Sequence, residues 1–377
     1  MVRKIWRCTV LIFVMSQLST SFAANKEVAI NKFLSKVKNF VQLKMEEDEP
    51  PGVVVLLNSP VVGRQAFALG YAALPPQPEK MTVDKKFRVA SISKTFMSVL
   101  ILKLVQQGKI GLDDKMVEYL PKNLDKDLIP NVQQITIRQL LNMTSGIPEY
   151  YDLDVDEYLA RFPYKVWSPQ DTLKFAADLK PKFTPGSGYE YSNTNYALLQ
   201  MILRQVTGKE LSVNLQEMIC EPLGLNNTFA DDFKLSAYTL DTKGYDTKRD
   251  AIDMSEKDDG FGIGDTFVVT NAFDLNKFVQ ALLLNKTLLS ESSLKAMLMP
   301  SAYGRYGLGI EVSHVDRWGY IYSHNGLVNG YQTNYFYLPQ SKLTVIILTN
   351  NRATTLIEPV LVRLLYYYSD FLKSFHS

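Results

Sequence analysis

Three short groups of side chains in this 377-residue chain are capable of chemistry if the fold brings them together. The first is Ser91-Ile92-Ser93-Lys94. Positions three apart on a helix share a face, so the serine hydroxyl and the lysine ammonium meet at the helix start. The residues that follow are largely apolar, and a lysine held among them is desolvated. Desolvation disfavours its charged form and lets the amine act as a base toward the hydroxyl. The same S-x-x-K spacing also arises by chance as a surface first turn, so alone it decides nothing. The second group is Tyr191-Ser192-Asn193, in a loop with Pro185, Gly186 and Gly188, just before a helix that begins near Thr194. On alternate positions, Tyr191 and Asn193 both point into a cleft. A tyrosine shuttles a proton where nearby cations lower its pKa, and an asparagine hydrogen-bonds an amide carbonyl. A capped helix start with a buried tyrosine is the competing explanation. The third group is His324-Asn325-Gly326, on a strand. At an exposed strand edge, backbone N–H groups bind a carbonyl or a developing oxyanion. Gly326 removes a side chain where another backbone must come close. His324, between a serine and an asparagine, also suggests the general base of a Ser-His-Asp triad. Whether it takes that role depends on what the rest of the chain offers as nucleophile and base.

Composition narrows the classes. Arg3, Lys4 and Arg7, the apolar run CTVLIFVMSQL and the small residues Ser21 and Ala23 have the form of an export signal, with cleavage expected after Ala23 or one residue later. Residues 1–23 are therefore read as a signal peptide and 24–377 as the working domain, exported to a periplasm or secreted. Removing three positive and no negative charges takes the net charge from +2 to −1. A near-neutral chain has no electrostatic footprint for nucleic acid. Of the two cysteines, Cys8 lies in the signal, and Cys220 sits on an apolar helical stretch as a core residue. Three histidines and one such cysteine leave little for a transition-metal site, and no cofactor is expected.

The elements that must position the three groups follow from periodicity. Residues 26–47 read as an amphipathic helix, and VVVLLN and RQAFALGYAAL as a hairpin pair of strands. From about 88 to 290 the pattern is mainly helical: SISKTFMSVLILKLVQQ, TIRQLLNM, SPQDTLKFAADL, TNYALLQMILRQVTG and TNAFDLNKFVQALLLN. After 300 a period of two returns in YGLGIEV, WGYIYSHN, GYQTNYFYL and KLTVIILTN, read as an antiparallel meander. The last apolar stretch is a helix whose Arg363, Asp370 and Lys373 argue against a membrane span and for packing on the sheet. The expected fold class is α/β (α+β). An antiparallel sheet is flanked by the N- and C-terminal helices, with the sheet lobe at about 24–87 and 291–377. An inserted all-helical lobe covers about 88–290, and a ligand cleft lies between the two.

Ser91, Tyr191 and His324 occur in that order, 100 and 133 residues apart. This combination resembles the penicillin-binding protein and serine β-lactamase superfamily, in its class C-like branch. The surroundings resemble it too, in order: FRVASISKTF, ITIRQLLNMTSGIPEY, PGSGYEYSNTNYALL, GIGDTFVVTNAFDLNKF and SHNGLVNGY. The resemblance implies that Ser91 is the acylated nucleophile. Lys94 with Tyr191 takes its proton and returns one to the leaving group, and Asn193 holds the substrate amide. The backbone N–H groups of Ser91 and Leu327 form the oxyanion hole. His324 stands where the family's K-T-G form has lysine, near the Tyr191 hydroxyl, and assists electrostatically or by hydrogen bonding. An unperturbed histidine, with a pKa of about 6.5, is charged only part of the time at neutral pH. H-x-G is familiar in D-alanyl-D-alanine carboxypeptidases and esterases of this fold, whereas efficient β-lactamases more often carry lysine. The implied activity is that of a D-Ala-D-Ala carboxypeptidase-like serine hydrolase. Its alternatives are an esterase of the same fold and a class C-like β-lactamase. A non-turnover penicillin-binding sensor is disfavoured because Ser91, Lys94, Tyr191 and Asn193 are all intact. The partner is a small peptide, β-lactam or ester. Asn325 replaces the usual Thr or Ser, and Arg352 is a candidate cation for a substrate carboxylate, with a solvated surface arginine as the competing explanation.

Overall fold

The computed structural model describes residues 2–48, 50–151, 165, 167–177, 179–231, 240–249, 251–255 and 263–376. These form two compact units, one built from the two chain ends and one spanning Pro50–Thr354.

Helix α1 (Val2–Asp48) opens the chain. Strands β1 (Gly52–Ser59) and β2 (Gly63–Ala73) then pair antiparallel, and β3 (Glu79–Lys80) extends β2. After β4 (Lys86–Arg88) comes α2 (Ser93–Gln106), buried on nearly its whole circumference. A short α3 (Ile137–Leu141) follows, capped reciprocally by Thr136 and Gln139. Next come α4 (Pro169–Ala177), α5 (Thr194–Thr207), α6 (Leu211–Leu215) and β5 (Phe229–Ala230). The small pair β6 (Tyr245–Asp246) and β7 (Ile252–Asp253) precedes β8 (Val268–Asn271), α7 (Ala272–Val279) and α8 (Glu291–Met297). Strands β9 (Glu311–Val315), β10 (Gly319–Val328), β11 (Tyr331–Leu338) and β12 (Leu343–Thr349) make the meander.

One sheet unites both ends of the larger unit in the order β3-β2-β1-β12-β11-β10-β9, with every pairing antiparallel. The central strands β1 and β12 are buried almost throughout, which is why they read as unbroken apolar runs. In the smaller unit, the last helix, α9 (Ile357–His376), packs on α1: Phe33 lies against Tyr368 and Phe371, and Arg363 over Phe40. No helix among the described residues is long and apolar enough to cross a membrane.

Two expectations need correcting. The region from 88 to 290 also contributes β5 and β8 to a three-stranded sheet, β4-β8-β5, whose strands of two to four residues are too short to show a period. YGLGIEV is a strand only from Glu311; Tyr306–Ile310 is irregular chain in which Gly309 takes a left-handed φ of +72°.

The contact that seats the sheet on the helical part is at Gly326. A Cβ there would lie 2.2 Å from the Val89 carbonyl oxygen, 2.7 Å from Thr333 Oγ1 and 3.0 Å from the Ala90 Cβ. Thr333 Oγ1 itself donates to that same carbonyl at 3.0 Å, so neither neighbour is free to give way. Gly326→Ala is expected to cost about 2 kcal/mol, read as a lower midpoint in chemical denaturation. An unchanged midpoint would show that β10 is not pressed against the turn preceding Ser91.

Candidate active site

Ser91 sits in a strained turn. Strand β4 delivers the chain to Val89, whose N–H donates to Val268 on β8 at 3.0 Å. Ala90 then takes a φ of +50°, which costs a residue with a Cβ about 1–2 kcal/mol. A single 3-10 turn, Ala90–Ile92, leads into α2. Two residues upstream, Arg88 is buried against Asp231 at 2.6 Å and donates to the Ser255 carbonyl at 2.7 Å, anchoring the strand.

The first turn of α2 brings Lys94 Nζ to 2.8 Å from Ser91 Oγ. Lys94 is fully buried, with its ammonium over the rings of Tyr191 (5.0 Å) and Tyr196 (5.6 Å). Burial pulls its pKa down from 10.5 to about 8, and the negative charges of Asp265 and Glu149 keep it from falling further. Asp265 Oδ2 is 4.0 Å from Nζ, and the Asp265 carboxylate also accepts from Tyr150 at 3.3 Å. Burial pushes the Asp265 pKa up, against the pull of Lys94. It pushes Glu149 to about 7, although that carboxylate accepts the backbone N–H groups of Asn193 (2.6 Å) and Tyr151 (2.8 Å).

The loop carrying Tyr191 lies on residues 143–148. Glu190 N–H donates to the Met143 carbonyl at 3.1 Å, and Gly186 N–H to that of Thr144 at 2.8 Å. The hydroxyls of Ser192 and Thr194 both donate to the Pro148 carbonyl. Ser192 is thereby buried, while Tyr191 and Asn193 stay partly open on the other side. Tyr191 hydrogen-bonds Ser91, but burial outweighs that bond and raises its pKa well above 10. The expected lowering by nearby cations does not occur, and Tyr191 is a neutral phenol. Asn193 Oδ1 is buried with no hydrogen-bond partner among the described residues.

On β10, His324 is fully buried. Its Nε2 is 2.7 Å from the Tyr306 hydroxyl, and its Nδ1 is 2.7 Å from the Asn325 carbonyl oxygen. Burial, reinforced by repulsion from Lys94, lowers its pKa to about 3, so the ring is neutral at physiological pH rather than partly charged. Side chains alternate along a strand. Asn325 is consequently exposed, on the opposite face from His324 and Gly326, and its side chain does not join them. Strand β9 pairs with β10 only as far as Ser323. The far edge of β10 from His324 to Val328 therefore has no neighbouring strand among the described residues, and Leu327 there is 52% exposed. Arg352 is half-buried and donates from Nη1 to Asn329 Oδ1 at 2.7 Å, at the β10–β11 turn, so it is not a freely solvated arginine.

The structure thus gathers Ser91, Lys94 and Tyr191 and seats Gly326 against the turn that presents Ser91. Sequence reasoning missed Glu149, Asp265 and Tyr306. The segments that carry the two carboxylates, SGIPEY and GIGDTF, stood out, yet nothing in their spacing announces that each ends beside Lys94. Most of the stretch 148–168, and part of 229–262, lies outside the described residues.

A serine beside a buried lysine, under the edge of an antiparallel sheet, defines a class of serine hydrolase. The family model Beta-lactamase matches residues 37–361. A penicillin-binding protein of Bacillus subtilis (strain 168) is 28% identical over 317 residues, covering 78% of this chain and 67% of the relative. The D-aminopeptidase of Brucella anthropi is 27% identical over 333 residues, covering 85% of this chain and 60% of the relative. The chain thus spans 60–67% of the length of these two relatives. The crystal structure of a penicillin binding protein from Bacillus halodurans has the same fold, with a TM-score of 0.75 at 22% identity over 86% of this chain and 98% of that one. The protein belongs to the beta-lactamase family and is a serine hydrolase of that fold.

The protonation states predict a pH profile. A neutral amine accepts a proton and an ammonium does not, so Ser91 acylation should fall as pH drops below about 8 and Lys94 gains its proton. Glu149→Gln removes a negative charge that holds the Lys94 pKa up, and should move the midpoint to lower pH. His324→Asn should leave the midpoint in place, because His324 titrates near 3. Pre-steady-state acylation measured across pH checks all three; a midpoint that shifts with His324→Asn would contradict the assignment.

Proposed function

We propose that the protein is an exported hydrolase that cleaves an amide or ester bond through an acyl-enzyme on Ser91, with a D-Ala-D-Ala-terminated peptide as the lead substrate. The observation that carries this is the 2.8 Å contact between Ser91 Oγ and a fully buried Lys94 whose pKa lies at about 8. At pH 7 roughly one Lys94 amine in ten is then neutral and able to take a proton. Ser91 Oγ attacks the carbonyl carbon while its proton passes to Lys94. Tyr191, a phenol bonded to Ser91, relays a proton to the leaving amine or alkoxide as the scissile bond breaks. The backbone N–H groups of Ser91 and Leu327 hold the developing oxyanion, and Asn193 holds the substrate amide. Water then attacks the acyl ester, its proton passes to Lys94, and Ser91 leaves with a proton as the acid is released.

A second reading is favoured by one observation. His324 is neutral and Arg352 already bonds Asn329, which leaves a substrate carboxylate poorly served by those two residues. Esters, and amides without a terminal carboxylate, fit such a site better.

A fluorophosphonate or labelled penicillin should add one adduct at Ser91, absent in Ser91→Ala; intact-mass spectra with no adduct from either probe would reject the acyl-enzyme. A panel of D-Ala-D-Ala peptide, p-nitrophenyl esters and nitrocefin decides the substrate. Ester turnover without release of D-alanine would replace the lead reading with the second. Export rests on Arg3, Lys4, Arg7 and the apolar run that follows them. Mass spectrometry of the protein from its native compartment should show an N-terminus at Ala24 or Asn25, and one at Met1 would refute cleavage.

A further inference from the structure

Both ring nitrogens of His324 are engaged by the protein itself, and one partner is a tyrosine outside all three motifs. A carbonyl oxygen only accepts, so the 2.7 Å contact from Nδ1 to the Asn325 carbonyl requires the ring proton on Nδ1. In the neutral ring Nε2 is then a bare acceptor, and the Tyr306 hydroxyl, 2.7 Å away, must donate to it. The tautomer is therefore dictated by two protein groups, and no ring nitrogen is left for a substrate atom.

Tyr306 is itself held rigidly. It is buried, and its ring meets that of His324 edge-on at 5.6 Å and 82°. It meets Tyr191 edge-on as well, at 6.0 Å and 88°, and Tyr189 at 6.4 Å. Its chain reaches this place because Gly309, at φ +72°, lies directly on the first turns of α2. A Cβ at Gly309 would fall 1.9 Å from Ser98 Oγ and 2.6 Å from the Lys94 carbonyl oxygen. The Gly309 carbonyl accepts from Thr95 at 2.8 Å, and its N–H donates to the Leu141 carbonyl at 3.2 Å. Tyr306 thus touches the aromatic residue of the second motif and the imidazole of the third, from a segment anchored to the helix that bears Lys94.

We infer that Tyr306 is a positioning residue for the hydrolytic reaction: its hydroxyl fixes the Nδ1–H tautomer of His324, and its ring fixes Tyr191 against Ser91. His324 then acts through Tyr306 and does not touch substrate, and the two residues work as one unit. The inference rests on the hydrolase reading above for what Tyr191 does.

The test has one arm that needs no turnover. In the full-length protein labelled with 15N-histidine, NMR should show His324 as the Nδ1–H tautomer with an Nε2 that accepts a hydrogen bond. Tyr306→Phe should move the Nε2 resonance toward that of a free acceptor. An Nε2–H tautomer in the wild-type protein overturns the inference, and this holds whether or not any variant folds. In the kinetic arm, Tyr306→Phe and His324→Asn should each lower kcat about tenfold with KM nearly unchanged. The double variant should be no slower than the slower single one, as expected for residues acting as a unit. Single effects that multiply in the double variant, or a Tyr306→Phe variant with full kcat, also overturn it. Ser91 labelling is run alongside. A wild-type protein with the expected tautomer and no Ser91 adduct would fault the hydrolase reading and not the His324 geometry.

Discussion

Taking an ammonium out of water costs several kcal/mol, and Lys94 is wholly out of water. What it finds inside offsets that cost only in part. The Asp265 carboxylate is 4.0 Å away, too far for a tight pair, and Glu149 acts on the ammonium as a second negative charge. The amine is left near the point of releasing its proton, 2.8 Å from a serine hydroxyl. Much of the larger unit converges on the turn that creates this condition. Strand β4 and the strained Ala90 present Ser91, and the turn before β8 brings Asp265. The chain after α3 brings Glu149 and supports the loop of Tyr191. Strand β10 closes over the turn at Gly326, where there is room for a hydrogen and nothing larger.

Burial of the other two motifs has the opposite sense from the one their residue types suggest. A tyrosine beside a lysine and a histidine in place of a lysine both invite a site rich in mobile charge. Instead burial holds Tyr191 as a phenol and His324 as a neutral imidazole. Charge is concentrated in Lys94 and its two carboxylates, and the surrounding aromatic residues supply hydrogen bonds and shape. In a water-poor setting a fixed dipole acts more strongly than in solvent. This division of labour suits acyl transfer, in which one proton is removed and one oxyanion is held.

Much of the fold was legible because its periods are strong. The unbroken apolar runs of β1 and β12, the alternation along β10 and β11, and the buried helix α2 each carry their geometry in local spacing. The three-stranded sheet β4-β8-β5 was not legible, since strands of two to four residues are held by pairing with distant chain and show no period of their own. Tyr306 was hidden for a related reason: YGLGIEV alternates like a strand, whereas Gly309 turns the chain onto α2.

The sequence by itself determined that Ser91 and Lys94 share a helical face, that Tyr191 and Asn193 share one side of their loop, and that Gly326 leaves room for a neighbouring backbone. Those are properties of a few consecutive residues with a known repeat. Only the tertiary structure decided which groups are charged and which partners they have. It placed Glu149 and Asp265 about Lys94, turned the Asn325 side chain away and set Tyr306 on the lone pair of His324. A pKa and a tautomer depend on solvent exclusion and on groups brought from distant parts of the chain, and no local spacing encodes either.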